Sequence, residues 1–208
     1  MVTVREIISD KSYVRIHLDD GRDYWIQKND FPLTEFYEGD TYDKTQFLKK
    51  ISICQYPRAL NYAVSLLARR PYSKKEILFR LVRRRYTEEV ADLVVYKLQK
   101  EGLLDDESFC EQWIRFRLDR RYGPDVIKRE LKMKGISEEV ILNVFRKFDS
   151  ETELDNAVIL AKKVLKHVCS VDDKRKIRHK AVTSLVRKGY SWETAQNAVS
   201  IAEKSCPD

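Results

Sequence analysis

Asp105, Asp106 and Glu107 stand side by side in the stretch LLDDE, where carboxylates are crowded enough to suggest a metal site or an acid–base pair. Either chemistry needs further ligands or a partner base, and the neighbouring sequence offers none. Acids at such a point are what the start of a helix asks for, so a helix N-cap at Asp105 or Asp106 is the reading adopted. His17, His167 and His179 are scattered, and HVC at His167 to Cys169 lacks the spacing of a zinc pair. Cys54, Cys110, Cys169 and Cys206 form no C-x-x-C and read as reduced, packed thiols. Neither a G-x-x-x-x-G-K-[ST] loop nor a G-x-G-x-x-G turn occurs, which removes both nucleotide cradles. No catalytic constellation and no cofactor are expected.

What remains is charge. The chain has 208 residues, with 40 Lys and Arg against 33 Asp and Glu, a formal +7. Residues 58–148 hold 21 basic and 14 acidic side chains, so the excess lies in the middle. Arg69, Arg70, Lys74, Lys75, Arg80, Arg83, Arg84 and Arg85 face one acid, Glu76. Arg115, Arg117, Arg120, Arg121, Lys128, Arg129, Lys132 and Lys134 form a second cluster, diluted by Asp119, Asp125 and Glu130. Lys174 to Lys188 contains seven basic residues and no acid. A solvated helix face gains from mixed signs at i,i+4 spacing. Clusters that forgo this pairing point to phosphates or an acidic protein surface. If the partner is nucleic acid, counterion release supplies the affinity and sequence matters little. Tyr72, Tyr86, Trp113, Phe116 and Tyr122 lie near these clusters, but at helical spacing they read as core.

The elements that must carry these charges repeat. LVRRRYTEEV, LKMKGISEEV and LVRKGYSWET align on Leu81, Leu131 and Leu185, 50 and 54 residues apart. Four residues beyond each leucine comes Arg85, Gly135 or Gly189, then Tyr86, Ile136 or Tyr190, then Thr87, Ser137 or Ser191. This is a helix stop in a left-handed C′ residue followed by the hydroxyl cap of the next helix. Ser73 with Glu76 makes a capping box before the first copy, and Gly123-Pro124 opens the second. The third departs, with Asp173 twelve residues before Leu185. An amphipathic helix precedes each pair, starting near Arg58, at Asp105 or Asp106, and at Ser150 with Glu153 as box partner. A single unit is small for an independent core, and stacking extends the buried surface.

Ahead of these units, YVRIHL and RDYWI alternate and turn at Asp20-Gly21, giving a β-hairpin, with a further strand from Val2 to Ile8. After YEGDTYDKTQF, read as a loop and short helix, only helices are expected. The fold class is mostly α: tandem three-helix repeats in an elongated, curved array behind a small N-terminal β-hairpin module. The expected division is 1–57, 58–104, 105–149 and 150–208. No apolar run approaches a membrane span and MVTVREIISD lacks a signal-peptide layout, so a cytoplasmic protein is expected, and the polar AEKSCPD at the end of the repeats points to a monomer.

ALNYAVSLLARRPYSKKEILFRL (Ala59 to Leu81), LQKEGLLDDESF (Leu98 to Phe109) and RFRLDRRYGPDVIKRELKMKGISEEVI (Arg115 to Ile141) together resemble the RecX family of recombinase regulators. The stretch from Ser150 to Pro207 matches more loosely. The resemblance implies a protein without enzymatic activity that binds the RecA filament on single-stranded DNA, with duplex DNA as a further contact. It implies restraint of RecA ATP hydrolysis, strand exchange and the repressor cleavage of the SOS response, hence a role in DNA recombination and repair. The family places Gly where this chain has Arg85, so either the turn is built differently or the arginine is kept for contact. A stand-alone helix-turn-helix DNA-binding protein is the alternative.

Overall fold

A computed structural model describes residues 1–148, 150–167 and 174–205. The chain divides after Asp105 into two compact units. The first holds strands β1 (Val2–Ser9), β2 (Tyr13–Leu18) and β3 (Asp23–Gln27), a 3₁₀ turn (Phe31–Thr34), β4 (Thr41–Tyr42), and helices α1 (Lys44–Leu67), α2 (Lys74–Arg83) and α3 (Glu88–Lys100). The second holds α4 (Asp106–Leu118), α5 (Pro124–Met133), α6 (Glu138–Phe145), α7 (Ser150–His167), α8 (Lys174–Arg187) and α9 (Trp192–Lys204). Expectations resting on Asp173, on the Ser150 side chain and on Cys169 and Cys206 lie outside the described residues.

The hairpin turns at Gly21 (φ 82°) as its Asp-Gly signal requires, within an antiparallel sheet ordered β3-β2-β1-β4. Alternation puts Ile16, Leu18, Tyr24 and Ile26 on one face, where Phe47, Ile51 and Cys54 of α1 cover them. Here the structure corrects a sequence expectation. The helix placed near Arg58 begins at Lys44, capped by the Asp43 carboxylate on the Thr45 and Gln46 N–H groups, and runs unbroken through Pro57. An internal proline costs about 3 kcal/mol. The helix persists because its first half covers the sheet and its second half, through Ala59, Ala63 and Leu66, covers α2 and α3. Between the two sets lies Gln55, 3% exposed. Its amide donates to the carbonyls of Trp25 (2.7 Å) and Arg85 (3.3 Å) and accepts from the Thr87 N–H (2.9 Å). One buried side chain thus ties β3, α1 and the α2–α3 turn. Arg58 adds a two-pronged pair to Asp30.

The repeat predicted from three leucines is present in the backbone. Leu81, Leu131 and Leu185 are fully buried. The carbonyl of each accepts from the residue five ahead: Tyr86 at 3.3 Å, Ile136 at 3.1 Å and Tyr190 at 3.2 Å. Between them, Arg85, Gly135 and Gly189 adopt φ of 68°, 84° and 95°. These are three copies of the Schellman closure. Thr87, Ser137 and Ser191 then cap the next helix by accepting from Val90, Val140 and Thr194. Positions four before each leucine and ten and thirteen after it are also buried: Ile77, Ala91 and Val94; Ile127, Ile141 and Val144; Ala181, Ala195 and Ala198. The third core has alanine at all three positions, where the first has one, Ala91, and the second none.

Within the second unit, the turn after α8 docks on the start of α5 through backbone. The Gly123 N–H donates to the Lys188 carbonyl (2.8 Å) and the Asp125 N–H to that of Gly189 (3.0 Å). A Cβ on Gly123 would stand 2.3 Å from the Gly189 carbonyl carbon, so glycine is required by approach, although its φ of −80° is ordinary. Gly189 is required twice, by its φ and by Val126 at 2.6 Å. Gly102, at φ 70°, has nothing within 4 Å of a Cβ. Gly123→Ala is therefore expected to lower stability by at least about 2 kcal/mol, through forced separation of backbone. Gly102→Ala should cost about 1 kcal/mol from its φ alone. Urea denaturation of the two variants reads the difference, and equal losses would contradict the close-approach argument.

Candidate functional site

Eight of the sixteen predicted cations sit against aromatic rings. In the first unit, the Arg70 guanidinium lies 3.6 Å from the centroid of Tyr72 and pairs with Glu76 at 3.5 Å. Arg80 approaches the same ring at 5.0 Å, and Arg84 covers Tyr62 at 4.2 Å. Arg85 turns toward the sheet, 3.8 Å from Trp25 and 5.9 Å from Tyr13. Lys74 is half-buried at the start of α2, while Arg69, Lys75 and Arg83 are exposed. Arg80, Arg83 and Arg84 come together around a cleft of about 480 Å³, which Tyr62, Glu76 and Phe79 also line.

In the second unit, Arg117 grips Glu130 in a two-pronged pair, Nε to Oε2 at 2.7 Å and Nη2 to Oε1 at 2.6 Å. The indole N–H of Trp113 donates to the same carboxylate (3.0 Å). Both charged side chains are only 18% exposed, so this pair belongs to the unit's interior scaffold. Lys134 sits over Trp113 at 4.1 Å, Arg120 over Phe116 at 4.0 Å and Lys128 over Phe145 at 5.1 Å. Lys132 pairs with Glu138 at 2.8 Å. Arg121, at φ 55°, offers its carbonyl to the Tyr190 hydroxyl (3.2 Å). Arg115 and Arg129 are exposed on α4 and α5. Lys188, the last of the third basic cluster, covers Tyr122 at 4.0 Å.

The five aromatic residues read as core divide. Tyr72 is buried, Tyr86, Trp113 and Tyr122 are half-buried, and Phe116 is 42% exposed. Phe79, 64% exposed on the cleft, was missed. Its signal was available: Glu76, Phe79, Arg80 and Arg83 follow i, i+3, i+4, i+7 and trace a face out of phase with the buried Ile77 and Leu81. The LLDDE acids open α4, and Glu107 joins Glu111 in holding Lys147, whose pKa rises from those two bonds. Cys54 and Cys110 are buried free thiols, and burial pushes Cys110 up to about 11, far from a reactive thiolate. Among the described residues no helix is long and apolar enough to cross a membrane.

A small antiparallel sheet on one long helix, then three-helix units whose surface chemistry is cations over aromatic rings, defines a tandem helical-repeat protein. Residues 59–98, 105–144 and 151–199 match, in order, the first, second and third three-helix domains of RecX. The chain belongs to the RecX family of regulatory proteins. It is 26% identical over 189 residues to a regulatory protein RecX of Listeria innocua, covering 90% of this chain and 70% of that one. A regulatory protein RecX of Mycobacterium sp. strain JLS is 33% identical over 145 residues, 67% of this chain and 79% of the relative. A crystal structure of regulatory protein RecX shares the fold with a TM-score of 0.66 at 20% identity, over 98% of this chain and 100% of that chain. The RecX structure from Lactobacillus salivarius gives 0.66 at 23%, over 72% and 97%.

Two expected outcomes separate scaffold from surface. Arg117→Ala should cost about 2 kcal/mol by stranding the half-buried Glu130, whereas Arg129→Ala should stay within about 0.5 kcal/mol, both read by urea denaturation. At Arg85 the left-handed φ and the Trp25 stack oppose each other, each worth about 1 kcal/mol. Arg85→Gly should then lie near the wild type and Arg85→Ala about 1 kcal/mol below it. The reverse order would show that the turn carries no strain.

Proposed function

We propose that this chain binds the RecA filament on single-stranded DNA and restrains its ATPase, strand-exchange and coprotease activities. Family membership supports the partner, and the arrangement of charge supports the mode of action. The first two clusters place guanidinium and ammonium groups on aromatic rings at the surface, with Arg83, Arg115 and Arg129 exposed beside them. Such a surface binds by complementary charge over an area and does no chemistry of its own. Residues 58–104 and 105–149 supply these contacts. The protein works as a cytoplasmic monomer without cofactor or catalytic residue.

The observation that carries this reading is the cleft at α2, where three arginines converge and the lining acid, Glu76, is already engaged by Arg70 and the Ser73 N–H. Reversing Arg83, Arg84 and Arg120 together to Glu should leave the far-UV helical signal intact and abolish restraint of RecA ATPase on single-stranded DNA. Undiminished restraint would reject the surface. Tight binding to one defined duplex, several kcal/mol above random DNA, would instead establish a stand-alone helix-turn-helix protein.

A further inference from the structure

The cleft between α1 and α2 joins two features that a merely solvated helix face lacks. The first is uncompensated positive charge. Arg80, Arg83 and Arg84 all line it, and Glu76 accepts from the Ser73 N–H at 3.2 Å in a capping box while pairing with Arg70. The second is an aromatic ring that no core claims. Phe79 is 64% exposed, one helical turn from Arg83 on the same face of α2, although burying such a ring is favourable by about 2 kcal/mol. Arg80 and Arg84 are themselves held over Tyr72 and Tyr62, which orders their guanidinium planes at the cleft wall. Planar guanidinium groups match phosphate oxygens in pairs, and a flat ring beside them matches a base.

We propose that this cleft seats one nucleotide of a single-stranded nucleic acid, its phosphate among Arg80, Arg83 and Arg84 and its base stacked on Phe79. The proposal rests on the reading of the α2 surface as a contact surface, and adds what occupies it. The volume of about 480 Å³ falls in the range of pockets that hold small-molecule-sized groups, roughly 300–1,000 Å³. A duplex hides its base faces in the stack and would leave Phe79 in water. Acidic peptide carboxylates would use the arginines and not the ring. An unstacked nucleotide uses both.

The test is fluorescence anisotropy of the full chain, without RecA, on a labelled oligothymidylate and an abasic oligomer of equal length, which carry the same phosphates. The wild type should bind the oligothymidylate at least about fivefold more tightly. Phe79→Ala should erase that difference and keep the salt dependence, while Phe79→Tyr should preserve it. Arg83→Gln should weaken both oligomers alike and flatten the salt slope by about one. Equal binding of the two oligomers by the wild type, a retained preference in Phe79→Ala, or tighter binding of a duplex of the same length would overturn the assignment. Should Phe79→Ala leave both oligomers unaffected yet release RecA, the cleft takes a protein segment and the nucleotide assignment falls. A base preference that persists while the triple reversal leaves RecA restraint unchanged would remove the regulatory reading and not this one.

Discussion

When a helix closes with a left-handed residue, the carbonyl of a leucine one turn back accepts from the residue beyond, and the chain leaves in a fixed direction. In this protein the leucine is fully buried in each three-helix unit, so helix stop and core are set by the same residue. The direction of exit fixes where Thr87, Ser137 or Ser191 can cap the following helix, and therefore which of its faces returns over the leucine. Everything else in the units can vary around that closure. The third core has alanine at all three of the equivalent positions and keeps the turn. The first substitutes arginine for glycine, accepting a φ of 68°, and holds the strained residue from two sides, with Gln55 on its carbonyl and Trp25 under its guanidinium.

The distribution of charge follows from the same geometry. With the core faces of α2 and α5 fixed by Ile77 and Leu81, and by Ile127 and Leu131, long basic side chains must leave from the remaining faces. Their apolar stems can then cover the edges of aromatic residues that the small cores only half bury. Cation-on-ring contacts are thus a consequence of short helices packed around little volume, before they are anything to do with a ligand. A phosphate or base arriving there meets groups already oriented by that packing, so less rotamer freedom is lost on binding.

The repeating units were legible because their signals are local. A buried leucine, a left-handed position, a hydroxyl cap and acids in the next turn all fall within about ten residues, and each has one physical reading. The sheet alternation was legible for the same reason. The extent of α1 was not, because Pro57 looks like a boundary and Gln55 interrupts the apolar face, while the contacts that overrule both come from residues about 30 positions away. Gly123 read as a helix start, and only the approach of Gly189 shows why no side chain fits. Among the candidate contact residues, sequence located the charge but not its use. Arg117 looks no different from Arg115 until Glu130 and Trp113 are seen to hold it. Phe79 is readable as an apolar residue off the core phase, set among arginines whose charge dominates the pattern.

How neighbouring elements are joined decides how much charge is left over. In the first unit the sheet and the helices are fastened by side chains, and two arginines are spent on it: Arg58 on Asp30, and Arg85 on Trp25. In the second unit, α8 meets α5 through the N–H groups of Gly123 and Asp125 and the carbonyls of Lys188 and Gly189. A backbone joint consumes no charged side chain. Lys188 therefore keeps its ammonium for the face of Tyr122, Lys128 lies half-buried over Phe145, and Arg129, on the helix that begins at this joint, stays exposed. Glycine at 123 and 189 is thus the condition under which two helices can dock tightly and still present their lysines and arginines. The compact packing of the second unit and its basic surface come from the same two residues.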